Sequence, residues 1–311
     1  MADVKKIATR AAYGEFLVEE GAKRPNLVAM SADLSGSNKT DGFEKAYPER
    51  FIESGISEQD MYAEAAGLAL SGKVVCASTF AMFAAGRAYE IIRNSIAYTG
   101  ANVKICATHG GITVGEDGAS HQTFEDIALM REIPGMVVLN PADAVSAKAL
   151  LAETVAADGP SYVRLGRANV PVIYDENEIF EIGKAKTVKE GSNVTIIATG
   201  IMVADAIAAA ETLEAEGISA RVIDMHTIKP LDEEAIIKAA QETGAIVTAE
   251  EHSVIGGLGS AVAEVVVQNC PVKVAMVGQK DCFGESGKPA DLLKKYGMTP
   301  ADIVAAVKSV K

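Results

Sequence analysis

The chain has 311 residues, is 49% hydrophobic and only 5% aromatic, and carries a formal net charge of −13. Its length suits about two domains, and its apolar share is enough to build real cores. The acidic balance excludes a general nucleic-acid binder, which presents a basic face, but leaves room for a few arginines gathered at one anion-binding cleft.

A helical pattern over residues 7–20 follows an N-terminus with no apolar signal-peptide core. Segments rich in β-branched residues at 26–31, 50–54, 73–79, 102–108, 136–140 and 161–165 read as strands, with helices between them at 58–71, 81–98, 123–131 and 142–157. A break at 168–192 holds Pro171, the acidic run Asp175-Glu176-Asn177-Glu178 and Gly191. The alternation then resumes with strands at 194–199, 220–225, 245–249 and 272–277, and helices at 203–216, 232–242, 258–268, 289–296 and 301–308. This order implies an α/β fold with parallel or mostly parallel sheets flanked by helices. The expected domains are residues 1–175 and 192–311, joined by a linker at 176–191. No apolar run reaches the ~18 residues of a membrane helix. Cys76, Cys106, Cys270 and Cys282 form no CxxC pair and no zinc spacing. They read as reduced, mostly core thiols of a cytoplasmic protein that meets no membrane and supplies no metal site.

Ligands of open α/β sheets bind beyond the carboxyl ends of strands, and the unusual residues of this chain follow its predicted strands. Gly55-Ile56-Ser57-Glu58-Gln59-Asp60-Met61 reads either as a capping box with Ser57 as N-cap or as a carboxylate aimed at a ligand. Phe80 and Phe83 are either ordinary core or a platform for a flat heteroaromatic ring, where stacking adds about 0.5–1.5 kcal/mol beyond burial. The loop at 107–122 holds two of the four histidines, His109 and His121, with four glycines and Asp117. That combination suits polar substrate contacts and proton transfer better than a metal site, since no HxH or HxxxH spacing occurs. Ala8-Thr9-Arg10, the segment at 31–38 and Arg164-Leu165-Gly166-Arg167 could bind a phosphorylated ligand, because arginine offers paired N–H donors. The glycine-rich turn after Glu250-Glu251-His252 is neither a complete phosphate loop nor a complete dinucleotide motif, and reads as tight packing at a helix start.

Taken in order, these pieces resemble the transketolase family along essentially the whole chain. They match its pyrimidine-binding and C-terminal domains. The most specific elements are Gly115-Glu116-Asp117-Gly118-Ala119-Ser120-His121-Gln122 and Phe283-Gly284-Glu285-Ser286-Gly287-Lys288. The resemblance implies a thiamine-diphosphate enzyme that moves a two-carbon ketol unit from a ketose phosphate to an aldose phosphate. It implies Glu58 as the carboxyl that meets N1′ of the aminopyrimidine, Phe80 and Phe83 as the ring-stacking pair, and Asp33 as a further cofactor contact. It gives Arg10, Ser37, His109 and Arg167 the substrate phosphate, Asp117 a hydroxyl of the donor sugar, and His121 a catalytic proton-transfer role. One departure stands out: Gly86 occupies a position where family members often carry tyrosine. The family's Gly-Asp-Gly…Asn site for diphosphate and magnesium has no counterpart, since Glu116-Asp117-Gly118 belongs to the substrate loop. The expectation is therefore a C-terminal subunit whose separate N-terminal partner holds the diphosphate and most of the Mg2+ contacts, assembled with two copies of each.

Three rival readings remain. The beta subunit of a 2-oxoacid dehydrogenase decarboxylating component has the same two domains, but its substrate carries no phosphate. A fragment of 1-deoxyxylulose-5-phosphate synthase fits the C-terminal Phe283–Lys288 element less well. A non-catalytic α/β regulatory module would not explain Glu58, Phe83 and His121 together.

Overall fold

The computed structural model describes residues 5–311. The chain forms two compact units, one from the part up to Gly110 together with Leu129–Glu181, the other from Gly111–Ala128 and Ile182–Lys311.

The first unit is built on strands β1 (Leu27–Ser31), β2 (Phe51–Glu53), β3 (Val74–Ser78), β4 (Val103–Thr108), β5 (Val137–Leu139) and β6 (Ser161–Leu165). Every residue of β1, β3, β4 and β6 is buried, as expected of parallel strands covered on both faces. Their order is β5-β6-β4-β3-β1-β2, all parallel. The chain steps from β1 out to the edge strand β2 and then back past β1 to β3. Such a reversal opens a crevice at the carboxyl ends of the strands. Helices α1 (Thr9–Lys23), α2 (Glu58–Leu70) and α3 (Ala144–Ala156) belong to this unit.

The predicted helix at 81–98 takes another form. It consists of π-helical segments Phe83–Arg87 and Ile92–Ala97 around a short α-turn, Tyr89–Ile91. The bond from Ala88 N–H to Phe83 O, 3.3 Å, spans five residues and widens the coil where π-bulges often mark functional sites. The Ser57 capping box does not form either: the Ser57 hydroxyl donates to Ser54 O at 2.7 Å and makes no cap bond.

Asp143 carries a large share of polar satisfaction in this unit. It is fully buried. Its Oδ1 accepts from Ser146 N at the start of α3, and its Oδ2 accepts from Ile173 N and Tyr174 N at 2.8 and 3.1 Å. Asp143→Ala removes the cap of α3 and leaves the buried Ser146 N–H and the part-buried Ile173 and Tyr174 N–H groups without that partner, so a loss of about 2–4 kcal/mol is expected. Urea denaturation measures it.

The second unit carries β7 (Lys186–Lys189), β8 (Val194–Ala198), β9 (Ala220–Asp224), β10 (Ala245–Ser253) and β11 (Lys273–Gln279). The order is β11-β10-β8-β9-β7, parallel except for β7, which runs antiparallel to β9. Strand β10 runs past its expected end at 249 because Glu250, Glu251 and His252 each bind backbone. Glu250 accepts from Leu258 N and Gly259 N at 2.7 Å each, at the start of helix α4 (Leu258–Asn269). Glu251 Oε1 accepts from Thr113 N at 2.7 Å, and His252 Nε2 accepts from Ala128 N at 3.4 Å. The glycines of the turn serve packing, since a Cβ at Gly259 would lie 2.8 Å from Thr248 Oγ1.

All four cysteines are free; Cys76 and Cys106 are buried, Cys270 is partly exposed and Cys282 is exposed. Half of them are therefore not core thiols, Cys282 because it falls in the exposed turn after β11. Among the described residues no helix is long and apolar enough to cross a membrane.

Candidate active site

Glu58 opens α2 directly after β2, and only 1% of it is exposed. Its Oε2 accepts a 2.6 Å charge-assisted bond from Arg87. The Arg87 guanidinium also lies 4.8 Å from the Phe83 ring centroid. Phe83 stacks on Phe80, with centroids 5.9 Å apart and planes 10° from parallel, and Phe80 stacks on His109 at 3.8 Å. Phe80 is buried while Phe83 is half-buried. The two phenylalanines follow the end of β3, whose line continues through a bridge between Phe80 and Thr108.

His109 sits at φ +60°, a left-handed conformation uncommon for a residue with a Cβ. A hydrogen-bond chain holds it there. Arg10, at the start of α1, places a guanidinium nitrogen 3.3 Å from His109 Nε2. Arginine can only donate, so Nε2 accepts and Nδ1 carries the proton. Nδ1–H then donates to Thr108 Oγ1 at 2.9 Å, and Thr108 donates to Asn38 Oδ1 at 2.7 Å. The same Arg10 nitrogen donates to Ser37 O at 2.7 Å, while the buried Arg10 Nε finds no partner among the described residues. Burial pushes the Arg10 pKa down, and the positive charge of Arg167 adds to the push. Two guanidiniums held close with a buried donor left over make a site that an anion would relieve.

Arg10, Ser37 and His109 are thus joined by hydrogen bonds, Arg167 by its field, and Glu58, Phe80 and Phe83 by the Arg87 contacts and ring stacking. Asp33 stands apart. It is exposed at φ +58°, and its backbone N–H donates to Glu53 Oε1 at 2.6 Å. Its carboxylate makes no hydrogen bond or ion pair among the described residues.

Asp117 and His121 belong to the second unit. Asp117 is exposed at the end of a 3₁₀ segment, Ile112–Asp117; His121 is half-buried, with Ser120 Oγ 2.9 Å from its Nδ1. The loop is anchored from below by Gln122, whose Nε2 donates to Ile112 O and Gly115 O at 3.3 Å and to Glu285 O at 2.9 Å. A Cβ at Gly118 would meet Ser286 Oγ at 2.5 Å, and one at Gly284 would overlap the Gln122 amide. The two most specific sequence elements are therefore one interlocked structure.

The residues 5–172 match the transketolase pyrimidine-binding domain and residues 183–303 the transketolase C-terminal domain. This chain belongs to the transketolase family. It is 52% identical, over 96% of its length and 94% of the relative's, to a transketolase C-terminal section of Methanocaldococcus jannaschii. It is 45% identical, over 97% and 94%, to the 6-deoxy-6-sulfo-D-fructose transketolase subunit SqwH of Clostridium sp. (strain MSTE9). A split-gene transketolase solved as an inactive beta4 tetramer superposes with a TM-score of 0.92 at 55% identity, covering 98% of each chain.

Family membership implies thiamine diphosphate as cofactor. Its aminopyrimidine needs a carboxyl partner and a ring to lie against, and buried Glu58 beside half-buried Phe83 offers both. Its diphosphate needs a metal and backbone donors. Among the described residues no group of three His, Cys, Asp or Glu side chains could hold a metal ion. Glu58 and Phe83 fit the aminopyrimidine end of the cofactor. The sequence reading missed Arg87, whose contacts depend on the π-helical segment Phe83–Arg87 and carry no motif.

Proposed function

We propose that this chain is the C-terminal subunit of a two-polypeptide transketolase acting on a ketose phosphate and an aldose phosphate, with a separate N-terminal subunit holding the diphosphate and Mg2+. The observation that carries the reading is the run of contacts at the carboxyl edge of the first unit, from Glu58 through Arg87 and the Phe83–Phe80 stack to His109 and Arg10, whose buried Nε has no partner among the described residues. The relatives support it: one is a C-terminal section, and another is a split-gene product whose solved form is an inactive beta4 tetramer. An assembly with two copies of each subunit follows the common closed two-fold arrangement.

When bound, the cofactor would supply the nucleophilic carbon for ketol transfer, and Glu58 with Phe83 would hold its aminopyrimidine. The chain's residues do the rest on this side. Glu58 holds or shares a proton at N1′ of the ring and so sets its tautomer, while Phe83 orients the ring. Arg10 and Arg167 hold the phosphate end of the substrate, with His109 Nε2 accepting from Arg10 and so aiming its guanidinium, and this fixes the reacting end by spending remote binding energy. Asp117 and His121 are assigned, on the family resemblance, a donor hydroxyl and a proton transfer.

Turnover by the reconstituted pair tests the proposal, with a ketose phosphate plus an aldose phosphate set against pyruvate with an artificial electron acceptor. Ketol transfer supports it; oxidation of pyruvate alone would establish the 2-oxoacid reading. The relative named for a sulfofructose makes a sulfonate-terminated ketose the informative third substrate, since both end groups are tetrahedral oxyanions. Arg10→Ala and Arg167→Ala are each expected to raise KM for phosphorylated substrates about 10–100-fold, the loss of charge-assisted bonds worth roughly 1.5–3 kcal/mol. Unphosphorylated donors should change little, and an equal effect on both would make these arginines structural.

A further inference from the structure

The family resemblance suggests an aromatic at Gly86, and the residue beside it, Arg87, reaches both Glu58 and Phe83. Gly86 is exposed, and a Cβ on it would come within 2.8 Å of the Met82 methyl. The next residue, Arg87, closes the π-turn that begins at Phe83. Its backbone carbonyl is held by Gln59 Nε2 at 3.2 Å, next to Glu58 in α2. Its guanidinium makes two contacts, the 2.6 Å bond to Glu58 Oε2 and the 4.8 Å approach to the Phe83 face. A carboxylate and a ring face are the same two partners that an aminopyrimidine requires. Glu58 is 1% exposed on its side chain while Arg87 is 48% exposed, so the arginine is the member of the pair that can swing out.

Resting on the function proposed above, we propose that Arg87 is a positioning residue that stands in for the pyrimidine ring. In the cofactor-free chain it holds the Glu58 carboxylate in place and covers Phe83. Entry of the ring requires the guanidinium to leave both. The buried carboxylate is thereby never left without a partner, which would be costly. The device has a consequence for affinity. A site that must first be vacated binds its ligand more weakly by the fraction of time it stands open. An ion pair with one half-exposed member, reinforced by a cation–π contact, lowers affinity by about tenfold.

The experiment uses the full chain and the reconstituted pair, with 4-amino-2-methylpyrimidine as probe by ligand-observed NMR and thiamine diphosphate plus Mg2+ by titration calorimetry. Arg87→Met keeps an apolar stem against Phe83 and removes the charge. It is expected to bind both probes about tenfold more tightly than wild type. The gain should shrink in the Glu58→Gln background, where the charge pair is gone and only a neutral hydrogen bond and the Phe83 contact hold Arg87, and Arg87→Lys should fall between, since lysine keeps the charge without the planar fork. A merely structural arginine would give no gain in affinity. Unchanged or weaker binding by Arg87→Met, with the wild-type pair binding the pyrimidine, would overturn this proposal and leave the function standing. Failure of the pyrimidine to bind any variant, alone or paired, would overturn both.

Discussion

Glu58→Gln is expected to fold normally and to lose nearly all activity in the assembled enzyme, by roughly 10²–10⁴-fold, the range of a positioned proton-transfer group. Glutamine fills the same volume at the start of α2 and its carbonyl can still accept from Arg87, so the surrounding packing has no reason to change. It can also still hydrogen-bond a ring nitrogen. What it cannot do is share a proton there, and ring activation precedes every later step of ketol transfer. The loss should therefore appear in kcat rather than in KM for either sugar. Hydrogen exchange at the reactive carbon of bound cofactor isolates the step from substrate binding, while circular dichroism checks the fold. Near-wild-type exchange in the variant would sink the assignment of Glu58.

How much of this was legible beforehand depends on the range of the interaction. Strand ends were readable because buried parallel strands are short apolar runs, so Phe80, His109 and Arg167 could all be placed just beyond such runs. Glu58 follows a short, part-exposed edge strand, and the start of α2 there was legible from the turn residues before it, even though the capping bond expected of Ser57 is replaced by one to Ser54. The Arg87 contacts were not legible, because they depend on a π-turn that no simple 3.6-residue periodicity encodes. Nor was the chain through Thr108 and Asn38, since those residues lie 70 positions apart and carry no motif. The interlock of Gly118 with Ser286 joins two elements that could be recognised separately but not paired. The same limit applies to Gly111–Ala128, which the pattern assigns to the first domain while Glu251 and His252 bind its backbone into the second unit. Local pattern reveals the elements; long-range bonds between side chain and backbone decide how they share a site.

The second large effect is expected from omission. The chain alone should show no ketol transfer and should bind thiamine diphosphate no more tightly than about millimolar. It offers the cofactor one carboxyl contact and one stacking face, worth roughly a few kcal/mol, from which the cost of association must be subtracted. Most polar anchoring of such a cofactor lies at its charged tail, through a metal and backbone donors. Arg87 must also be displaced first. The first unit leaves Ile56, Leu70 and Tyr98 at 75%, 65% and 89% exposure, large apolar side chains of the kind that a partner covers. Without that partner, self-association of the chain is expected, and light scattering would register it. Adding the N-terminal subunit should bring tight binding of cofactor and Mg2+ together with turnover, at one copy of each subunit per site. Titration calorimetry of the purified chain, run beside a two-substrate ketol-transfer assay, decides the matter, because tight cofactor binding or turnover by this chain alone would contradict a function divided between two polypeptides.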